Sequence, residues 1–203
     1  MSSRDEPQVA TPDPELLSAA RQGDYAAFEE IVRRFQDRVY RLALGMTGND
    51  TDAEEIAQET FLHVFKGLPA FRGDSSLSSW IYRVAANASL MVLRRQRRRP
   101  QLSLDDTRPE FTEDGTGHVQ TPGAWVIEPD EAILSGELMS LVERSISELP
   151  EKYRLVLLLK DVEGLSNAEV AETLGLTLPT VKARLHRSRL IVRDELDHYF
   201  RSQ

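Results

Sequence analysis

Residues 165–193, LSNAEVAETLGLTLPTVKARLHRSRLIVR, decide how the rest of the chain is read. Ser166 followed three residues later by Glu169 is a capping box, in which each side chain satisfies a backbone N–H that a first helical turn leaves unpaired. A helix therefore starts here. Val170, Ala171 and Leu174 give it one apolar face, and Gly175 can take the positive φ that ends it and turns the chain. Thr177 can cap a second helix, Pro179 suits its first turn, and Val181, Leu185, Ile191 and Val192 keep one side buried. The opposite side carries Lys182, Arg184, Arg187, Arg189 and Arg193 with no acid among them, which leaves it for a polyanion.

Two helices joined in this way have the geometry of a helix-turn-helix, whose second helix lies in the major groove of DNA. Lys and Arg there reach guanine edges or phosphates, and Thr180 and His186 can add shorter contacts. The alternative is a solvated basic face on an ordinary helical hairpin. Small Ala171 at the helix crossing, a glycine four residues on and a capped basic helix behind it form a combination that such a hairpin does not need.

Composition bounds the remaining choices. The chain has 203 residues, enough for one or two domains, and no cysteine, which excludes disulfides, thiolate metal sites and thiol redox chemistry within it. It has no run of eighteen apolar residues and no signal-peptide pattern at its start, so the expectation is a cytoplasmic protein without membrane insertion. The net charge of −8 is unusual for a DNA binder until its distribution is seen. Residues 82–100 carry six arginines and no acid, whereas residues 101–137 carry nine acids against Arg108 alone. Two basic patches flank an acidic connector.

Residues 1–12 are polar, rich in Ser, Asp and Pro, and are expected to be disordered. Asp13 can cap a short helix over residues 14–22 that stops at Gly23. Asp24 then opens a long amphipathic helix in which Phe28, Ile31, Val32, Phe35, Val39, Leu42, Ala43 and Met46 recur at helical spacing, as a core face does. After the turn at Gly48, Asn49 and Asp50, Asp52 with Glu55 reads as a second capping box. The helix behind it buries Ala53, Ile56, Ala57, Thr60, Phe61, Val64, Phe65 and Leu68. Its other face shows Glu54, Glu55, Gln58, Glu59, Leu62 and His63, either as a solvated acidic face or as a surface for a partner.

Pro69 ends that helix, and residues 71–79, FRGDSSLSS, read as a loop bracketed by the flat faces of Phe71 and Trp80. Such a layout can stack an unstacked base and read its edge with loop polar groups; alternatively the aromatics simply pack beneath a capped loop. The next helix, started by Ser78 or Ser79, ends in Arg94, Arg95, Arg97, Arg98 and Arg99, which suits single-stranded or melting DNA. Residues 101–129 lack helical periodicity and contain several Pro and Gly, as a linker does. Extended at about 3.3 Å per residue it spans roughly 90 Å, over two turns of duplex. A second domain begins near Asp130 and comprises four helices, the last running through Leu196 and Phe200. The expected fold is thus all-α: two small helical domains, residues 13–100 and 130–203, joined by a flexible acidic linker, the second domain containing the helix-turn-helix.

Three stretches in this order, DAEEIAQETFLHVFKGLPAFRGDSSLSSWIYRVAANA, LPEKYRLVLLLKDVEGLSNAEVAETLGL and TVKARLHRSR, resemble a bacterial RNA polymerase sigma factor of the extracytoplasmic-function (ECF) class of the sigma-70 family. The resemblance covers residues 15–200. It implies a first domain that binds core RNA polymerase and the minus-ten promoter element, and a second that binds the minus-thirty-five element of promoter DNA. On this chain it makes Asp52, Glu54, Glu55, Gln58, Glu59 and Leu62 the polymerase-facing surface. Phe71, Ser75, Ser76, Trp80, Arg83 and Asn87 become the pocket for a flipped base, with Arg94 and Arg95 beside the melting strand. Thr180, Lys182, Ala183, Arg184, His186 and Arg187 become the minus-thirty-five contacts. Leu90 and Met91 depart from the polar or acidic residues many relatives carry there.

The function implied is that of a dissociable specificity subunit that directs polymerase to promoters, helps melt the minus-ten region and is held inactive by an anti-sigma factor. It involves no catalysis, cofactor or metal. Capture of extruded bases offsets the few kcal/mol that unstacking each one costs. The acids of residues 105–114 are expected to occupy a basic channel of the polymerase. Two other readings stand beside it: a dimeric operator-binding regulator that acts without polymerase, and a DNA-processing enzyme. The regulator has no use for residues 71–87. The enzyme lacks support, because the four histidines are isolated and there is no HExxH, phosphate-binding glycine loop or evident carboxylate pair.

Overall fold

The computed structural model describes residues 14–98 and 136–201. The readings of a disordered start at 1–12, a cap at Asp13, a linker at 101–129 with its acids at 105–114, and a second-domain onset at Asp130 fall outside the described residues. Within them the fold is all-α, with eight α-helices: α1 (Pro14–Arg21), α2 (Tyr25–Thr47), α3 (Asp50–Gly67), α4 (Leu77–Arg98), α5 (Gly136–Glu148), α6 (Glu151–Leu157), α7 (Asn167–Leu174) and α8 (Leu178–Arg201).

The N-terminal helices follow from local chemistry. Asp24 caps α2 by accepting from the backbone N–H groups of Ala26 and Ala27. Helix α2 then turns Ile31, Phe35, Val39, Leu42, Ala43 and Met46 inward, each at most 1 % exposed. Each of the larger of these side chains contributes about 1.5–3 kcal/mol when removed from water, so α2 is the axis on which α1, α3 and α4 pack. The capping box read at Asp52 and Glu55 does not form. Helix α3 starts earlier, at Asp50, because Asn49 adopts an extended conformation and its side-chain oxygen accepts from the Asp52 N–H at 2.9 Å. Asp52 is thereby free to bond Gln96 of α4, and Glu55 pairs with Arg95. Phe65, expected inside, is 40 % exposed and stacks on Tyr25.

The C-terminal helices close the reading frame of the helix-turn-helix as expected. The Ser166–Glu169 capping box is present in both directions, and Gly175 takes φ 64° after α7. Between α6 and α7 the chain passes through a π-helical turn, Leu158–Val162, which ends with the N–H of Glu163 bonded to the Leu158 carbonyl. One large apolar cluster runs through both sets of helices, from Ile31 and Phe35 through Ile81 and Tyr82 to Leu159, Val170 and Leu185, and a smaller one of Ala43, Ala53, Ile56, Ala88 and Val92 joins α2, α3 and α4.

Candidate nucleic-acid interface

Helix α8 is fixed by Val181, Leu185 and Ser188 on its buried side, the last donating its hydroxyl proton to the Leu185 carbonyl. That anchoring turns Lys182, Ala183, His186 and Arg187 outward, all exposed, with Arg184 half-buried beside them. No ion pair among the described residues engages Lys182, Arg184 or Arg187, so their charge remains uncompensated. Thr180 is partly committed, since its hydroxyl lies 2.8 Å from that of Thr177 at the helix start. The uniformly unpaired basic face expected from sequence needs correction at Arg189. Its guanidinium makes two parallel bonds to Asp161, at 2.6 and 3.0 Å, which raise its pKa and tie α8 to the π-turn. Arg193 also has an acid beside it, Asp194 at 3.4 Å.

The loop before α4 is held from both ends. Leu68–Ala70 form a 3₁₀ turn, and α4 is capped not by Ser78 or Ser79 but by Ser76, whose hydroxyl accepts from the Ser79 N–H at 3.0 Å. Ser78 and Ser79 are buried behind the cap and hydrogen-bond to the Ser76 hydroxyl. Phe71 is also buried and stacks on Trp80 with ring centroids 4.9 Å apart. Of the two uses considered for these aromatics, Phe71 therefore serves as the floor. The open space lies above Trp80: a cavity of about 390 Å³ lined by Phe71, Arg72, Asp74, Ser75, Trp80 and Arg83. Gly67 also lines it and lets the Trp80 ring lie close; a Cβ there would sit 2.9 Å from that ring.

Further along α4, Asn87 and Arg94 point into a larger cleft of about 610 Å³ shared with Leu174, Leu176 and Arg184. Arg95, exposed, reaches Glu55 at 3.5 Å. On α3, Glu54, Glu55, Gln58 and Leu62 are exposed, with Asp52 and Glu59 half-buried. Leu62 at 57 % exposure stands on the same side as Tyr25 and Phe65, so the acidic face carries an aromatic and aliphatic patch. The three residue sets read from sequence thus lie on α8, on the loop and length of α4, and on α3, and they adjoin where Arg184 shares the cleft of Asn87 and Arg94 and where Arg95 meets Glu55.

Sequence reasoning missed the contacts between the two halves. Glu163, wholly buried, accepts from Arg38 at 3.0 Å and Arg41 at 3.3 Å, both on α2, and from the Tyr82 hydroxyl at 3.0 Å. Burial, together with the neighbouring carboxylate, pushes the Tyr82 phenol far above its ordinary pKa, so it stays a neutral donor. Arg83 donates to the carbonyls of Glu172 at 2.7 Å and Thr173 at 3.1 Å, and the Ser79 hydroxyl to the Glu172 carboxylate at 3.1 Å. Arg154 reaches back to the Met46 carbonyl at 2.6 Å. One signal was available: Glu163 stands in helical phase with Val156 and Leu159, an acid on an apolar face.

Comparison with known proteins follows the same division. The model of Sigma-70 region 2 matches residues 31–99, and that of Sigma-70 region 4 matches residues 139–191. The chain is 36 % identical over 180 residues to the ECF RNA polymerase sigma factor SigW of Bacillus subtilis, covering 89 % of this chain and 94 % of that one. It is 33 % identical over 178 residues to the ECF RNA polymerase sigma-E factor of Escherichia coli K12, covering 87 % and 90 %. The fold resembles that of CnrH in complex with the cytosolic domain of CnrY, with a TM-score of 0.65 at 21 % identity over 91 % of this chain and 96 % of that one. It also resembles the sigma factor RpoE in complex with the anti-sigma factor NepR from Bartonella quintana, with a TM-score of 0.60 at 19 % identity over 84 % and 96 %. The chain belongs to the ECF class of the sigma-70 family. Its function is promoter-specific initiation of transcription with RNA polymerase. No helix among the described residues is long and apolar enough to cross a membrane.

Proposed function

We propose that the work is divided between a domain of residues 13–100 and a domain of residues 130–203, joined by the linker 101–129. In the second domain, Thr180, Lys182, Ala183, Arg184, His186 and Arg187 contact the minus-thirty-five element. In the first, Phe71, Ser75, Ser76, Trp80, Arg83 and Asn87 take a flipped base of the minus-ten element, and Arg94 and Arg95 hold the adjacent phosphates as the strands part. Asp52, Glu54, Glu55, Gln58, Glu59 and Leu62 face core polymerase. The chain performs no covalent chemistry and needs no cofactor; its contribution is binding energy spent on separated strands. It acts in the cytoplasm, and an anti-sigma factor holds it inactive, as the complex of the related RpoE fold with NepR suggests for this architecture.

The observation that carries this reading is the contrast along α8. Lys182, Arg184 and Arg187 have no acidic partner among the described residues, although the chain as a whole carries eight net negative charges. Cations left unpaired in an acidic protein mark the place where another polyanion binds. The cavity above Trp80 supports the minus-ten assignment, because an aromatic wall with a serine and a guanidinium at its rim can both stack a base and bond its edge. The test is co-purification of the full chain with core RNA polymerase, followed by run-off transcription from a promoter library. Polymerase-dependent selection of one promoter family is the expected result. Tight, sequence-specific duplex binding by the chain without polymerase would favour an operator-binding regulator instead.

A further inference from the structure

The cleft of about 610 Å³ beside α4 is walled by elements far apart in the chain. Helix α4 contributes Arg83, Asn87, Leu90 and Arg94, whose spacing puts them on one side of the helix. The facing walls are Glu151, Lys152 and Leu155 of α6, residues 172–176 at the end of α7 and the turn after it, and Arg184 of α8.

Most of the polar groups around the cleft are already engaged. Arg83 donates to the carbonyls of Glu172 and Thr173, and the Glu172 carboxylate accepts from the Ser79 hydroxyl. Glu151 pairs with Arg97 at 2.9 Å, and Lys152 lies over the Tyr153 ring. Three side chains stand apart from this pattern. The guanidiniums of Arg94 and Arg184 and the carboxamide of Asn87 have no hydrogen bond or ion pair among the described residues. The rest of the lining is largely apolar, with Leu90, Leu155, Leu174 and Leu176.

These unengaged groups define what fits. Two guanidiniums call for an anion rich in oxygens, which each can grip with two parallel N–H bonds. A bare inorganic ion would leave the leucines in water. A carboxamide offers an acceptor and donors in one plane, the pairing that the N6 and N7 edge of adenine answers, whereas an acyl chain would leave it without a partner. Size argues against a partner helix, because two turns with side chains, 10–12 Å across, fill about 850–1,200 Å³, more than the cleft holds. A small molecule does fit, since pockets for such ligands run from about 300 to 1,000 Å³. We propose that the cleft is a binding site for an adenine nucleoside diphosphate, with its phosphates on Arg94 and Arg184, its ring among leucines of both halves and its edge on Asn87.

Asn87, Arg94 and Arg184 are also the side chains proposed to meet promoter DNA, so the measurement is made without DNA or polymerase. A failure of the promoter assignment in transcription then leaves the nucleotide site standing, and the reverse holds too.

Equilibrium dialysis of the full chain against labelled ADP is the direct test, with inorganic pyrophosphate and adenosine as partial ligands. ADP should bind about tenfold more tightly than either part, or better. Arg94→Ala with Arg184→Ala should weaken ADP about 100-fold, and Asn87→Ala about tenfold while leaving pyrophosphate unchanged. Leu176→Glu, on a wall that the promoter reading does not use, should abolish binding by setting an acid beside the phosphates. Circular dichroism melting reports whether that variant folds. The arginine and asparagine positions are exposed or half-buried, so their variants keep the test open if it does not. A wild-type chain still empty at about 1 mM ADP overturns the proposal. So does ADP affinity unchanged in any folded variant, and so does pyrophosphate binding as tightly as ADP, which would reduce the cleft to a patch of positive charge. An acidic, leucine-bearing peptide that needs Arg94 and Arg184 where ADP does not bind would give the cleft to a protein partner instead.

Discussion

The two most arginine-rich of the described helices, α4 and α8, are in opposite conditions. On α8, Lys182 and Arg187 point outward and Arg184 lines a cleft, and none of the three has an acidic partner among the described residues. On α4, Arg83 is bound to the carbonyls ending α7, Arg95 lies against Glu55, and Arg97 pairs with Glu151 at 2.9 Å. The difference teaches that a run of like charge in a sequence says little about its availability. What matters is which acids and carbonyls the fold brings opposite, and on α4 several come from the other half of the molecule. The basic side of α8 keeps its charge largely unspent; that of α4 is mostly taken up by contacts within the molecule.

The strongest way to break this comparison is to remove the available charges. Lys182→Ala with Arg187→Ala should weaken upstream duplex binding by the polymerase complex roughly 100-fold, since each base-edge contact is worth about 1–3 kcal/mol, and should flatten the log–log salt slope by about two units. Fluorescence anisotropy across a salt series measures both, and an unchanged slope would mean that these cations do not touch DNA. Next in size, Asn87→Ala and Gly67→Ala should each slow strand opening about tenfold while sparing upstream binding. The first removes a base-edge partner and the second drives a methyl into the Trp80 ring. Permanganate reactivity of the minus-ten thymines reads this directly, and equal defects in both assays would erase the division between the helices.

Smaller effects sharpen the picture. Gly175→Ala forces an L-residue to φ 64° at the turn of the helix-turn-helix and should destabilise the fold by about 1 kcal/mol, visible as a lower midpoint in thermal or urea unfolding. Arg189→Ala should be the mildest. Its half-exposed pair with Asp161 contributes on the order of 0.5 kcal/mol to stability, and duplex affinity should change far less than for Arg187→Ala. A large loss of affinity would show that Arg189 leaves Asp161 to bind phosphate.

Much of this architecture was legible in the residues because the signals are local. The Ser166–Glu169 box, the glycine at 175 and the spacing of Ile31, Phe35, Val39 and Leu42 each depend on neighbours within a turn or two, and each appears as read. The errors are local as well, and small. Asn49 outcompetes Asp52 for the start of α3 because it stands where the chain is still extended, and Ser76 outcompetes Ser78 and Ser79 because those two already lie inside the helix. The contacts of Glu163 could not be read this way. Arg38 and Arg41 are more than 120 positions away along the chain, and nothing near either end announces the other. The same holds for Gly67, whose importance lies only in the ring that Trp80 lays across it.

The close seating of Leu158 against Gly45 has a consequence for what the seam between the halves accepts. A single extra methyl at position 45 would lie 2.8–2.9 Å from the Leu158 methyls, so α2 and the π-turn could not both keep their present places. The tightness of that fit is set by two residues that stand apart from every side chain proposed to meet nucleic acid or polymerase.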